Sequence, residues 1–390
     1  MLFANMVPSF VSLAVVALFA LTSIVLAIPT NQPPAARYGG NPHLNNSRAW
    51  RSILPSQKWQ PCTKEKMQVR QDFDKMGPYD RKAYTDAVKC MMKQPSQLNP
   101  TLYPGAINRF FDYSAIHINR TRVVHLNGFF LTWHRTFVWL YEQDLKNLCG
   151  YNGTQPYWNW HATAANLSGS AVFDGSKFSM SGDGLLNNTG PIQLSSTFSL
   201  PHGSGGGCIH DGPFAYMNYT MAPIPISVVL NGEDLPRTAF DKNPACLTRD
   251  LNQFVATTQT NFTLWDEAVH APNMSLFSDL LNGVLGGGAL GLHSGAHFVV
   301  GSPASSLFVS PQDPVWYPMH AMLDYTFWTW QENNPNVALQ ISGTETAVNL
   351  PPSANVSLES YEPDWGYLFP SVKVRDLMRT NAGPFCYRYE

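Results

Sequence analysis

Six of the chain's 11 histidines fall into two triplets. The first is His117, His125 and His134; the second is His293, His297 and His320, and both sit in stretches otherwise built of Phe, Trp, Leu and Val. A single histidine on an apolar face is usually a satisfied core residue. Burying a polar group without a partner costs about 1–3 kcal/mol by mutational measures, so six of them need something to bind. A fold for this chain has to bring distant segments together around a ligand for imidazole nitrogen.

Spacing narrows the ligand. His293 and His297 stand about 40° apart on a helix and can chelate one ion. Ser294, Gly295 and Ala296 between them are small, and Ser294 stands where a zinc protease needs its glutamate. His125 and His134 are nine residues apart, which puts them on opposite faces of any continuous helix. His125 therefore belongs in the turn entering a helix from about Phe129 to Leu148, and Gly128 permits that turn. His320 lies near the start of a helix expected from Pro318 to Trp330, with Pro318 in the first position and Asp324 one turn beyond. Neutral imidazoles without carboxylates disfavour magnesium and calcium. They also depart from the two-histidine, one-carboxylate iron pattern, leaving copper first and zinc second.

The rest of the 390 residues set the context. Charged residues are 13% against the usual figure of about 25%, and the net charge of -2 excludes a basic nucleic-acid binder. Phe10 to Ala27 is nearly continuous apolar sequence ending Val25-Leu26-Ala27, read as a signal peptide over residues 1–27 with the mature chain at 28–390. No later run approaches the roughly 20 apolar residues of a membrane span. The cysteines Cys62, Cys90, Cys149, Cys208, Cys246 and Cys386 are even in number and lack a C-x-x-C pair, which suits disulfides in a secreted chain. Asn-x-Ser/Thr sequons at Asn45, Asn119, Asn152, Asn166, Asn187, Asn218, Asn261, Asn273 and Asn355 point to a glycosylated extracellular protein. Helical spacing is expected in Lys64–Gln94 and Leu251–Val269, with a short segment over Leu290–Val299. Ser168–Ser204 reads as an excursion over the surface. One mainly α domain with long irregular connections follows.

The stretch His125–Glu142, HLNGFFLTWHRTFVWLYE, resembles the first copper signature of the tyrosinase and catechol oxidase family. Asp313–Asp324, DPVWYPMHAMLD, resembles the second, with Trp316 where the family usually has Phe. Pro156–Trp160 is similar to the family's PYWDW with Asn159 replacing the acid, and Tyr387-Arg388-Tyr389 is similar to the motif that closes its core domain. The resemblance spans about Trp50 to the C-terminus. It implies a four-helix bundle around two copper ions, with long irregular loops and few short strands. One copper would be held by His117, His125 and His134, the other by His293, His297 and His320. It further implies binding of dioxygen, oxidation of phenolic small molecules to o-quinones, no separate organic cofactor, and aromatics such as Phe130, Trp133 and Phe327 excluding water.

Departures from the family pattern shape the finer expectation. Val123 stands where some members carry a cysteine cross-linked to the second histidine, so no thioether is expected. Ser294 replaces the Asn of many monophenol hydroxylases, no glutamate lies between Asp279 and His293, and Met319 replaces a frequent histidine. These favour an o-diphenol oxidase, with an o-aminophenol oxidase or a monophenol hydroxylase as alternatives and a dioxygen carrier as a remote one. No C-terminal covering domain follows His320, so control is expected in the loop Gly301–Pro311, with Leu307 or Phe308 as a gate. Asp324 is expected to hold the second nitrogen of His320 and to pair with Arg135; a plain buried ion pair is the alternative.

Overall fold

Asparagine side chains start four of the helices, the one carrying His117 among them. Asn108, Asn252, Asn261 and Asn273 each accept the backbone N–H three residues on, satisfying one of the donors left free at a helix start. The computed structural model describes residues 59–187, 190–284 and 287–390, all within one unit spanning Trp50–Glu390. The segment 1–27, expected to be a signal peptide, and the sequon Asn45 lie outside the described residues. The helices are α1 (Pro78–Met91), α2 (Arg109–Val124), α3 (Phe130–Cys149), α4 (Trp160–Thr163), α5 (Ser227–Leu230), α6 (Gln253–Gln259), α7 (Phe262–Val269), α8 (Met274–Asn282), α9 (Leu292–Val300) and α10 (Trp316–Asn333). Short two-stranded pieces and four 3-10 turns supply the remaining regular structure of the described residues. No described helix is long and apolar enough to cross a membrane.

Several boundaries differ from expectation for identifiable reasons. Pro78 opens α1, so the helix is shorter than Lys64–Gln94; the strand Gln68–Arg70 precedes it. Leu251–Val269 is two helices because Asn261 caps a new start. The last helix begins at Trp316, which puts Pro318 in the third position, where its absent N–H is still one the helix would leave unpaired. Helix α2, which carries His117, has no counterpart among the expected elements. The Ser168–Ser204 excursion is partly internal: Ser170, Ser179 and Ser181 are buried, and Gly184–Leu186 pairs antiparallel with Gly206–Ile209.

Helices α3 and α10 pack along one another, and their register is held by a buried ionic cluster. Arg135 Nε lies 2.5 Å from Asp324 Oδ1, and Arg70 reaches both Glu142 (2.5 Å) and Asp324 (3.2 Å). The hydroxyls of Tyr387 and Tyr389 each donate to Asp324 Oδ2 at 2.6 Å. Burial works against both carboxylates, yet Arg135 and Arg70 hold Asp324, and Arg70 and Lys146 hold Glu142, below their ordinary values. Arg70 and the two tyrosines arrive on the parallel strands Gln68–Arg70 and Tyr387–Tyr389, and the disulfide Cys62–Cys386 ties the ends of that pair. The disulfide Cys90–Cys149 joins the ends of α1 and α3, and Cys208–Cys246 closes the third bridge. Arg135 follows His134 and Asp324 lies one turn past His320, so the cluster sets the height of two of the six histidines.

Candidate metal centre

Four helices deliver the histidines. His117 is on α2, His134 on α3, His293 and His297 on α9, and His320 on α10. His125 takes the extended C-cap position of α2, which turns its ring back towards the bundle as its distance from His134 requires. The turn continues through Leu126 at φ 53° and Gly128. A Cβ on Gly128 would come within 2.8 Å of Gly343 O and 2.7 Å of Val356 Cβ, so only glycine fits there.

One ring nitrogen of every histidine is braced by the protein. Nδ1 of His117 meets Phe308 O (2.9 Å), that of His125 meets Thr121 O (3.1 Å), and that of His134 meets Phe130 O (2.7 Å). Nδ1 of His297 meets Ala304 O (2.6 Å), that of His320 meets Trp316 O (3.0 Å), and that of His293 meets Asn282 Oδ1 (3.1 Å). Each of these acceptors requires Nδ1 to donate, which leaves Nε2 as a lone pair. Within each triad the candidate ligand atoms lie within 4.8 Å of one another. Nε2 of His117 and of His134 is buried without any hydrogen-bond partner. Nε2 of His293 lies 3.0 Å from that of His297 and 3.2 Å from that of His320. Lone pairs facing one another at that distance repel unless a cation stands among them.

Burial lowers the proton affinity of all six rings, His117 to about 3 and His297 to about 4, with His125, His134, His293 and His320 well below the ordinary value. They are neutral at physiological pH, so a metal displaces no proton from them. Two neutral three-nitrogen sets with open positions fit copper. The sets are adjacent: the rings of His134 and His320 are 5.4 Å apart, and Phe130 packs at 4.6 Å from His134 and 5.0 Å from His293.

Other expected site residues find different places. Asp324 does not hold His320; its oxygens are taken by arginine and tyrosine, and His320 uses the carbonyl of Trp316 one turn back in its own helix. The Asp324–Arg135 pair forms, as the buried ion pair of the alternative reading. Phe308 is no gate: its side chain is fully buried and its carbonyl braces His117. Leu307 is half-buried in the same loop. Ser294 Oγ donates to Asn282 O at 3.1 Å. Phe327 packs on the Arg135 guanidinium at 4.4 Å, while Trp133 and Trp316 lie against the histidines, Trp316 stacking on His320 at 3.6 Å. Arg70, Asn282 and the carbonyls of Phe308 and Ala304 were not anticipated; backbone acceptors leave no trace in side-chain identity. A cavity of about 240 Å³ lies behind Phe130, reaching Asn282, Asp279 and Gln340, and none of the six histidines lines it.

Residues 107–333 match the common central domain of tyrosinase. The chain is 35% identical over 328 residues to Tyrosinase P of Aspergillus terreus, covering 82% of this chain and 91% of that protein. It is 34% identical over 347 residues to an N-acetyl-6-hydroxytryptophan oxidase of Emericella nidulans, covering 85% and 94%. Among solved structures, a polyphenol oxidase variant from Thermothelomyces thermophila superposes with a TM-score of 0.78 at 32% identity, covering 85% of this chain and 90% of that one.

Proposed function

Because the chain belongs to the tyrosinase family of type-3 copper oxidoreductases, we propose that it is a secreted enzyme oxidising o-diphenols to o-quinones with dioxygen. In this reading His117, His125 and His134 hold one copper, and His293, His297 and His320 the other. When bound, the copper pair supplies dioxygen binding and two-electron oxidation.

The chain's own residues prepare that chemistry. Carbonyls and one amide orient the six rings before metal arrives, so little reorganisation remains on binding. Phe130, Trp133 and Trp316 line the histidines with apolar surface and keep bulk water from them. The observation that carries the reading is the convergence of six neutral, Nδ1-braced imidazoles on two adjacent points.

Substrate class follows from what the second triad lacks. A monophenol has to lose a proton from a group with pKa near 10, and a positioned base contributes roughly 100- to 10,000-fold. Ser294 is engaged with Asn282 O, and no glutamate lies between Asp279 and His293. A catechol needs less help. Catechol is therefore expected to turn over at least about 100-fold faster than tyrosine, read by quinone formation on the copper-loaded protein with an o-aminophenol alongside. Equal rates on catechol and tyrosine overturn the diphenol reading. A hydroxylated indole is the second reading, favoured by the activity for which the Emericella nidulans relative is named.

Secretion is supported by the apolar Phe10–Ala27 segment, by three disulfides, and by the exposure of Asn152, Asn166, Asn187, Asn218, Asn273 and Asn355. Asn119 and Asn261 are half-buried, and Asn119 bonds Tyr103 and Arg120, which makes them poorer glycan acceptors.

A further inference from the structure

We propose that Asn282 is a positioning residue for the second copper, fixing the tautomer and orientation of His293. The inference rests on the reading of His293, His297 and His320 as copper ligands.

Nδ1 of five of the six histidines meets a backbone carbonyl, that of His117 with Thr121 Oγ1 nearby at 3.4 Å, whereas Nδ1 of His293 has only a side chain as its partner. Helix geometry explains the exception. His134 and His320 each sit four residues beyond the first residue of their helices, so the carbonyls of Phe130 and Trp316 lie directly beneath their rings. His293 is only the second residue of α9, and the preceding Gly291, at φ 76°, is not helical. No helical carbonyl lies one turn back, so the acceptor has to come from elsewhere in the fold.

It comes from the last residue of α8, and the local backbone is shaped to deliver it. Gly283 at φ 72° ends α8, and Gly291 precedes α9. A Cβ on Gly283 would lie 2.5 Å from Leu290 O, and one on Gly291 would lie 2.3 Å from Gly283 N. The two ends of the connection thus touch backbone to backbone, a contact only glycine allows. That contact brings residue 282 beside residue 293. Ser294 Oγ then donates to Asn282 O at 3.1 Å, while Asn282 Oδ1 accepts from His293 Nδ1 at 3.1 Å. Asn282 is held by its backbone and holds His293 with its side chain. Ser294 acts from the protein side of the ligand, by steadying Asn282.

With Oδ1 as acceptor, His293 keeps its proton on Nδ1 and offers Nε2 to the ion. Without it, the proton can move to Nε2 and the ring can rotate, so the second triad would lose a ligand while the first stays complete. Partners of this kind are worth 10- to 100-fold in metal affinity.

The test is copper retention, not turnover. Copper-loaded wild type, Asn282→Leu and Asn282→Asp are equilibrated against a graded copper chelator, and copper per chain is measured together with the melting temperature of each metal-free form. Asn282→Leu is expected to release one of its two coppers at roughly 10- to 100-fold lower chelator, the other being held as in wild type. Asn282→Asp, which keeps an acceptor at the same place, is expected to retain both. Wild-type retention in Asn282→Leu overturns the proposal, and so does equal loss in Asn282→Leu and Asn282→Asp. Should Asn282→Leu fail to fold, Asn282→Gln decides, since it displaces the amide by one methylene: selective loss of one copper supports the proposal and retention of both overturns it. His297→Ala controls for the underlying reading. If it keeps both coppers, the second triad is not the site, whatever Asn282 does.

Discussion

Two buried polar clusters lie side by side on α3 and α10, with His134 next to Arg135 and His320 one turn from Asp324. The Arg70–Arg135–Glu142–Asp324 cluster is complete: its carboxylates meet guanidinium groups or tyrosine hydroxyls, and each arginine is paired. The histidine cluster is half complete, with every Nδ1 braced but Nε2 of His117 and His134 left without a partner. Both are largely removed from water, with only His297 of the six histidines partly exposed, so desolvation alone cannot explain the contrast. A polar cluster satisfied within the polypeptide serves the fold, whereas one left open on a single converging side is shaped for something the polypeptide does not contain.

The comparison can be broken at its open side first. His134→Ala or His297→Ala is expected to lose at least one copper per chain, and with it essentially all oxidase activity. Metal analysis and catechol turnover check this. Full activity in either variant, or zinc at matching stoichiometry in active enzyme, would sink the dicopper assignment.

The closed side should behave in the opposite way. Arg70→Met leaves Glu142 buried without its main counter-charge, and removing one member of a buried ion pair costs about 3–5 kcal/mol. Chemical denaturation should show that loss in the metal-free protein, while the folded fraction still binds two coppers. A variant that folds with wild-type stability but binds less copper would show that the two clusters are not separable.

Acid should tell them apart more finely. His117 titrates at about 3 in the folded protein against an ordinary 6.5, so its contribution is fully present above pH 6.5 and is lost as pH falls from there towards 3. Asp324 and Glu142 are held below their ordinary 3.8 and 4.5, so their contribution is lost only below about pH 4.5. Between pH 6.5 and 5, the metal-free wild type should lose more stability than metal-free His117→Phe, by up to about 1.4 kcal/mol per pH unit. Parallel curves for the two proteins would contradict it.

The smallest effect is expected at the wall between the clusters. Trp316→Phe restores the family's usual residue and keeps a ring on His320, so copper binding should persist and stability should fall by no more than about 1 kcal/mol. Loss of copper would mean that the indole does more than pack.

Much of this molecule was legible in one dimension because the signals were local. The two histidine triplets, the turn at His125 demanded by its distance from His134, the α3 helix and the choice of copper all follow from residue type and spacing, and the paired signatures pointed to the family. Helix α2 was missed because it is buried nearly all round, polar Asp112, Ser114, His117 and Thr121 along with Phe110, Phe111 and Ile116, so no polar-apolar period could be read, although Asn108 marks its start. Four decisions belonged to tertiary structure alone. The carbonyls of Phe308 and Ala304 brace His117 and His297 from a loop, and a carbonyl carries no residue identity. Asn282 reaches His293 only because two glycines let a connection close on itself. Arg70 enters the ionic cluster from a strand paired with the far end of the chain. Asp324, one turn from His320 and expected to serve it, is drawn instead to Arg135 and Arg70, because a buried charge gains more from a counter-charge than from a neutral imidazole.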